Sequence, residues 1–243
     1  MIYNTFKDKE LSALGLGCMR LPMIGEDVDI PQTKAMGDSF MEAGFNYFDT
    51  AHGYLGGKSE IALRECLTSR HDRSEYLLAN KLSHNFFQKE EDIRPFFENQ
   101  LAWCGVEYFD FYLMHAQDKG NFEKYKSIRA YETALELQAE GKFRHFGISF
   151  HDKAVVLDQI LTEYPQIEVA QIQLNYVDFE DEAVQSRKCL EVCRKHGKPV
   201  IVMEPVKGGT LAAVPVEVEK LLCGEPPAHR AIRFAASQEG VAL

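Results

Sequence analysis

The stretch Asn46-Tyr47-Phe48-Asp49-Thr50-Ala51-His52-Gly53-Tyr54 decides the fold. An apolar run, Asn46–Asp49, closes on a carboxylate and enters a short loop that carries a tyrosine. The pattern recurs downstream. Tyr76–Asn80 runs into Lys81, and Phe109–Met114 runs into His115. Short runs of this kind read as strands buried on both faces, as in parallel sheets. Parallel barrels gather ionisable side chains at such C-terminal strand ends.

Working outward, strand and helix patterns alternate. Ala13–Cys18 reads as a strand and Pro31–Glu42 as a helix with Pro31 in its first turn. Ser59–Ser69 is a helix. Glu91–Trp103 is another, with Ile93, Phe96, Phe97 and Leu101 on one face. Pro95 belongs in a first turn, which argues for a later start to that helix. Tyr125–Glu140 reads as a helix capped by Gly141. The strand His145–Ser149, helix Lys153–Thr162, strand Val169–Leu174, helix Glu182–His196 and strand Pro199–Met203 continue the rhythm. Short helices follow around Val216–Leu222 and His229–Ser237. An eighth strand would begin near Val241, where the sequence given stops.

This alternation implies an α/β fold with a parallel sheet. No Gly-x-Gly-x-x-Gly opens a helix after a strand, which disfavours a doubly wound dinucleotide fold. Functional candidates follow many strands rather than one switch point. The expectation is a (β/α)8 TIM barrel, incomplete at strand eight, forming one domain over residues 1–243 that is shortened at its C-terminus.

At 243 residues, with 45% hydrophobic and 26% charged side chains, the chain has the composition of a globular protein. The net charge of −10 and the lack of a basic stripe argue against nucleic acid. Six scattered cysteines (Cys18, Cys66, Cys104, Cys189, Cys193, Cys223) show no metal-ligand spacing and read as reduced thiols. No basic, then apolar, leader begins the sequence, and no run is long and apolar enough to span a membrane. The expected location is the cytoplasm.

Asp49, Tyr54, Lys81 and His115 together suit proton delivery to a carbonyl while a cofactor delivers hydride. A phenol near pKa 10 is a poor donor at neutrality, and an adjacent ammonium is expected to lower it. Asp49 would hold Lys81, and His115 would orient the carbonyl. Each has a plain alternative. Asp49 could be a helix cap, Tyr54 a loop aromatic, Lys81 a solvated charge and His115 a satisfied strand-end histidine. His52 and His151 read as surface or loop residues, Gly56-Gly57 as a tight turn, and Trp103 as packing.

The first-strand motif Leu14-Gly15-Leu16-Gly17-Cys18-Met19-Arg20-Leu21-Pro22, with Phe48-Asp49-Thr50-Ala51, Tyr54, Lys81 and His115, resembles the aldo-keto reductase family. Its members are (β/α)8 barrels that reduce carbonyls with NAD(P)H. The resemblance implies Asp49, Tyr54, Lys81 and His115 as the catalytic set. It implies Gly17, Cys18, Met19, Asp49, Ser149, Gln171, Met203, Pro205, Val206 and Gly208 as cofactor-binding positions. NADP(H) is favoured, with NAD(H) the other option. The substrate would be a small carbonyl compound. Phe150 stands where members often carry Asn, and Met203 where many carry an aromatic residue. The backbone amides of Lys207-Gly208-Gly209 could face a pyrophosphate. Met203–Gly209 is closest in wording to a bacterial branch whose longer members carry an iron–sulfur domain. The four clustered cysteines of such a domain are not present. The competing reading is a non-catalytic cofactor sensor or scaffold.

Overall fold

In the computed structural model the described residues are 2–222 and 224–243. Cys223, read above as a reduced thiol, lies outside them. The chain forms two compact units: Met1–Ala116 with Gly120–Ile148, and Gln117–Lys119 with Ser149–Leu243.

The first unit opens with an antiparallel hairpin, β1 (Tyr3–Phe6) and β2 (Lys9–Ser12), joined through Lys7 at φ 52°. Its Lys-Asp-Lys-Glu turn region carries no apolar run, so hydrophobic patterning did not announce it. The expected strand at Ala13–Cys18 is shorter, β3 (Gly15–Gly17), followed by a 3-10 turn at Cys18–Arg20. A second small hairpin, β4 (Met23–Ile24) and β5 (Asp27–Val28), precedes helix α1 (Ile30–Glu42). Asp29 caps α1 by accepting from the Gln32 amide at 2.9 Å, with Pro31 in the first turn.

Strands β6 (Tyr47–Asp49), β7 (Leu77–Leu82), β8 (Phe109–Gln117) and β9 (Phe143–Phe150) continue the parallel sheet begun by β3, neighbour beside neighbour in chain order. The register fixes which side chains share a face. Asp49 pairs with Ala79, so Lys81, two residues on, points to the same side as Asp49. Lys81 pairs with Leu113, so His115 points there too. Asn80 and its partner Tyr112 face the opposite side, toward the helices.

Helix α2 (Lys58–Leu63) runs into a π turn at Arg64–Thr68. Helix α3 (Glu90–Cys104) begins one residue before Glu91, not later as Pro95 suggested, and Pro95 sits inside it. Two effects hold its first turn. Asp92 accepts from the Gln88 and Lys89 amides, and Ile93, Phe96, Phe97 and Leu101 are buried. The single helix read at Tyr125–Glu140 is two, α4 (Lys119–Ser127) and α5 (Ala130–Ala139), broken where Arg129 takes φ 56°.

The second unit contains α6 (Ala154–Glu163), β10 (Val169–Gln173), α7 (Ser186–Lys195), β11 (Val200–Met203), α8 (Val216–Glu219) and α9 (Pro227–Ala236). β10 and β11 pair in parallel. Val241 makes a parallel bridge to Val200, where the eighth strand was expected to begin. Helix α7 starts later than Glu182 because the Asp181 carboxylate holds the Ala183 and Val184 amides in a turn. Among the described residues the parallel strands number seven, each separated from the next by helix, which is an α/β fold.

Candidate active site

Asp49 and Lys81 reach the same side of the sheet from adjacent strands. Lys81 is fully buried, and its Nζ donates to Asp49 Oδ1 at 2.5 Å, the Thr50 carbonyl at 2.9 Å and Tyr54 Oη at 3.0 Å. An ammonium has three protons, and these three acceptors use all of them. Tyr54 sits in the loop after β6, its amide bonded to the Ala51 carbonyl. The His115 ring meets the Tyr54 ring edge-on with centroids 5.8 Å apart. Thus the structure brings all four expected residues together in the first unit.

The electrostatics differ from expectation in one respect. Burial is the largest influence on the Tyr54 phenol and pushes it above its ordinary value. Lys81 pulls it down, while Asp49 adds to the rise. The net shift is upward, not downward, because burial outweighs the pull of the ammonium and the Asp49 carboxylate adds to the rise. Burial also works against the Lys81 charge, but Asp49 and Tyr54 outweigh it and raise the pKa of the amine.

Several supporting residues were not read from the sequence. Ser83 Oγ lies 2.6 Å from His115 Nδ1. Thr50 Oγ1 bonds to Ser59 Oγ, which donates to the Cys18 carbonyl at 2.9 Å. His52 lies in the loop after β6, half-buried. Its Nδ1 lies 2.7 Å from Glu60 Oε2, and its ring stacks on Trp103. Glu60 has one legible signal, since it lies three residues before Leu63 on the apolar side of α2.

Of the cofactor-side candidates in the first unit, Gly17 is exposed and lies beside Asp49 in register. The Cys18 thiol is fully buried, and burial raises its pKa strongly. Only its backbone is therefore a candidate contact. Met19 is exposed. In the second unit, Ser149 ends near the close of β9 and is buried. Gln171 and Met203 fall on one face, because Gln173 pairs with Met203. Pro205, Val206 and Gly208 follow β11, with Gly208 at φ 63°. Two of the amides expected to face a pyrophosphate are otherwise engaged. Lys207 N donates to the Glu204 carbonyl at 2.9 Å, and Gly209 N to the Val206 carbonyl at 3.0 Å. The Lys207 ammonium pairs with buried Asp178. Burial disfavours that carboxylate, but bonds from Lys207, Asn175 and Gln173 outweigh it and lower its pKa. Among the described residues, no group of three His, Cys, Asp or Glu side chains is placed to hold a metal ion, and no helix is long and apolar enough to cross a membrane.

The Aldo/keto reductase family profile matches residues 13–221. The chain belongs to that family. This aldo/keto reductase chain is 26% identical over 223 residues to an uncharacterized oxidoreductase, YqkF, of Bacillus subtilis, covering 86% of this chain. It is 27% identical over 228 residues to an NADH-specific methylglyoxal reductase of Escherichia coli, covering 84% of this chain. It spans 66% of the length of each. The solved structure of aldo-keto reductase AKR11C1 from Bacillus halodurans, in holo form, matches 97% of this chain and 81% of its own with a TM-score of 0.77 at 25% identity. An aldo-keto reductase from Klebsiella pneumoniae in complex with NADPH shares the fold, with a TM-score of 0.75 at 21% identity, over 100% of this chain and 84% of its own.

Proposed function

We propose that this aldo/keto reductase family member reduces an aldehyde or ketone to an alcohol with NAD(P)H, Tyr54 delivering the proton. The observation that carries the reading is the fully buried Lys81 ammonium held between Asp49 and the Tyr54 hydroxyl. Such a phenol is fixed in place, dry on the Lys81 side, and protonated at neutral pH. Tyr54 gives its proton to the carbonyl oxygen, and Lys81 stabilises the phenolate left behind. His115 is the second donor. On this reading Ser83 donates to Nδ1, so that the imidazole carries its proton on Nε2, where it can bond and orient the substrate oxygen.

A bound nicotinamide cofactor would supply the hydride. The donor set fits one. Gln171 offers both an amide donor and an acceptor to a carboxamide, and Ser149 a hydroxyl, both on buried strand positions. Met203, Pro205, Val206 and Gly208 follow as packing and backbone contacts, and Gly17, Cys18 and Met19 are the candidates in the first unit. NADP(H) is the preferred cofactor. The NADH-specific relative keeps NAD(H) as the comparison to run. The wording of Met203–Gly209 supports kinship with the branch that carries iron–sulfur domains. A small carbonyl substrate and a cytoplasmic setting complete the proposal.

The test is Tyr54→Phe. Turnover of an aldehyde panel should be lost, while calorimetric titration finds the cofactor still bound. Unchanged turnover would remove Tyr54 as proton donor. Cofactor binding by the wild type without turnover would favour a sensor instead.

A further inference from the structure

Behind the Tyr54–Lys81 pair, on the helix-facing side of the strands, lies a carboxylate with no solvent contact. Glu60 is fully buried in α2. Its Oε2 takes His52 Nδ1 at 2.7 Å, and its Oε1 takes Asn80 Nδ2 at 2.8 Å and Gln100 Nε2 at 3.0 Å. A buried carboxylate is retained only when its lone pairs are met in this way.

The partners of Glu60 are neighbours of the two reacting groups. His52 stands two residues before Tyr54, in the same loop. Its imidazole is packed among aromatic rings. It stacks on Trp103 with centroids 4.3 Å apart, and Phe86 and Phe96 meet it edge-on. A Cβ at Gly57 would come within 3.2 Å of its ring. Asn80 immediately precedes Lys81, and its Oδ1 accepts the Lys81 amide at 2.8 Å. Gln100 ties the group together by donating to Asn80 Oδ1 at 3.0 Å and to the Lys81 carbonyl at 3.1 Å, while Tyr112 donates to Gln100 Oε1 at 2.6 Å.

We propose that Glu60 is a positioning residue that sets the distance between Tyr54 and Lys81, holding the loop of one through His52 and the strand of the other through Asn80. The inference rests on the proton-donor reading of Tyr54. A hydrogen bond between phenol and ammonium is sensitive to tenths of an ångström. A carboxylate that grips a side chain from each of the two segments acts on that gap without touching substrate.

Three variants test it. Glu60→Met removes all three acceptor contacts at similar size. His52→Phe keeps the ring stack but removes the Nδ1 proton. Glu60→Gln keeps an oxygen for Asn80 and Gln100 and turns its amide toward His52, which takes the other tautomer. In each, the Tyr54 titration is followed in the cofactor-free chain by the 13C signal of the ring carbon bearing the hydroxyl, assigned by its loss in Tyr54→Phe. Steady-state kinetics with an aldehyde follow. Glu60→Met and His52→Phe should raise the Tyr54 midpoint by about one unit, as the pull of Lys81 weakens. They should lower kcat about tenfold with KM unchanged. Glu60→Gln should recover most of both. A lower melting temperature with midpoint and kcat unmoved would make Glu60 merely structural and overturn the proposal. If Glu60→Met does not fold, His52→Phe decides. If the wild type reduces no carbonyl in a Tyr54-dependent way, the reductase reading fails, and the titration alone still decides whether Glu60 sets the pair.

Discussion

The Lys81 ammonium has no water to fall back on, so each of its acceptors is needed. Asp49→Asn leaves a buried cation with neutral partners only. Breaking a buried ion pair from one side costs about 3–5 kcal/mol, and urea denaturation should show a loss of that size. A loss below about 1 kcal/mol would mean that water reaches the pair. The raised Tyr54 pKa has a kinetic sign. On the proposed mechanism, carbonyl reduction needs the protonated phenol, so its rate should stay level through neutrality and fall only above pH of about 10. Alcohol oxidation needs phenolate and should rise over the same interval. A reduction rate that falls between pH 7 and 8 would contradict the burial argument. The four candidate residues were legible as a set because each interrupts an apolar run or follows one closely, and the structure places them together. Their charge balance was not. The sequence puts Lys81 near Tyr54 but does not say that Asp49 already spends the charge, nor that burial outweighs both.

At the scale of elements, strands were legible wherever both faces are buried, as in Leu77–Leu82 and Phe109–Gln117. Hairpins β1–β2 and β4–β5 were not, since their residues are polar or short in run. The break between α4 and α5 carries no Gly or Pro; only the φ of Arg129 marks it. Between β6 and α2, Gly56-Gly57 was read as a tight turn, and both do take positive φ. Its role is more specific than a turn. Gly57 sits at φ 89°, where a side chain is strained, and a Cβ there would press on His52. Gly57→Ala should therefore destabilise by more than about 1 kcal/mol. It should also disturb the His52–Glu60 bond, which the His52 imidazole proton signals in NMR would report. Gly25→Ala is the control: its φ is 63°, but it has open space around the added carbon.

Across the whole molecule, the buried phenols and thiols share one sign. Burial raises the Tyr47 and Tyr112 phenols and the Cys104 thiol well above their ordinary values, and pushes Cys189 and Cys193 up to about 12. In each, the folded pKa exceeds the unfolded one. Their contribution to stability is therefore complete below pH of about 9 and is lost as the pH rises through the folded values. Asp178, with its lowered pKa, acts oppositely; its contribution is present above pH of about 4 and is lost as the pH falls through its folded value. Urea midpoints should be level from pH 6 to 9 and drop above that. A midpoint that climbs in alkali would refute the burial of these groups. The chain also holds a single tryptophan, Trp103, lying nearly parallel to the His52 ring at 17°. Any movement of that ring changes the surroundings of the one indole. The emission of this protein is consequently a one-channel optical gauge of how His52 is seated, readable in real time without a label.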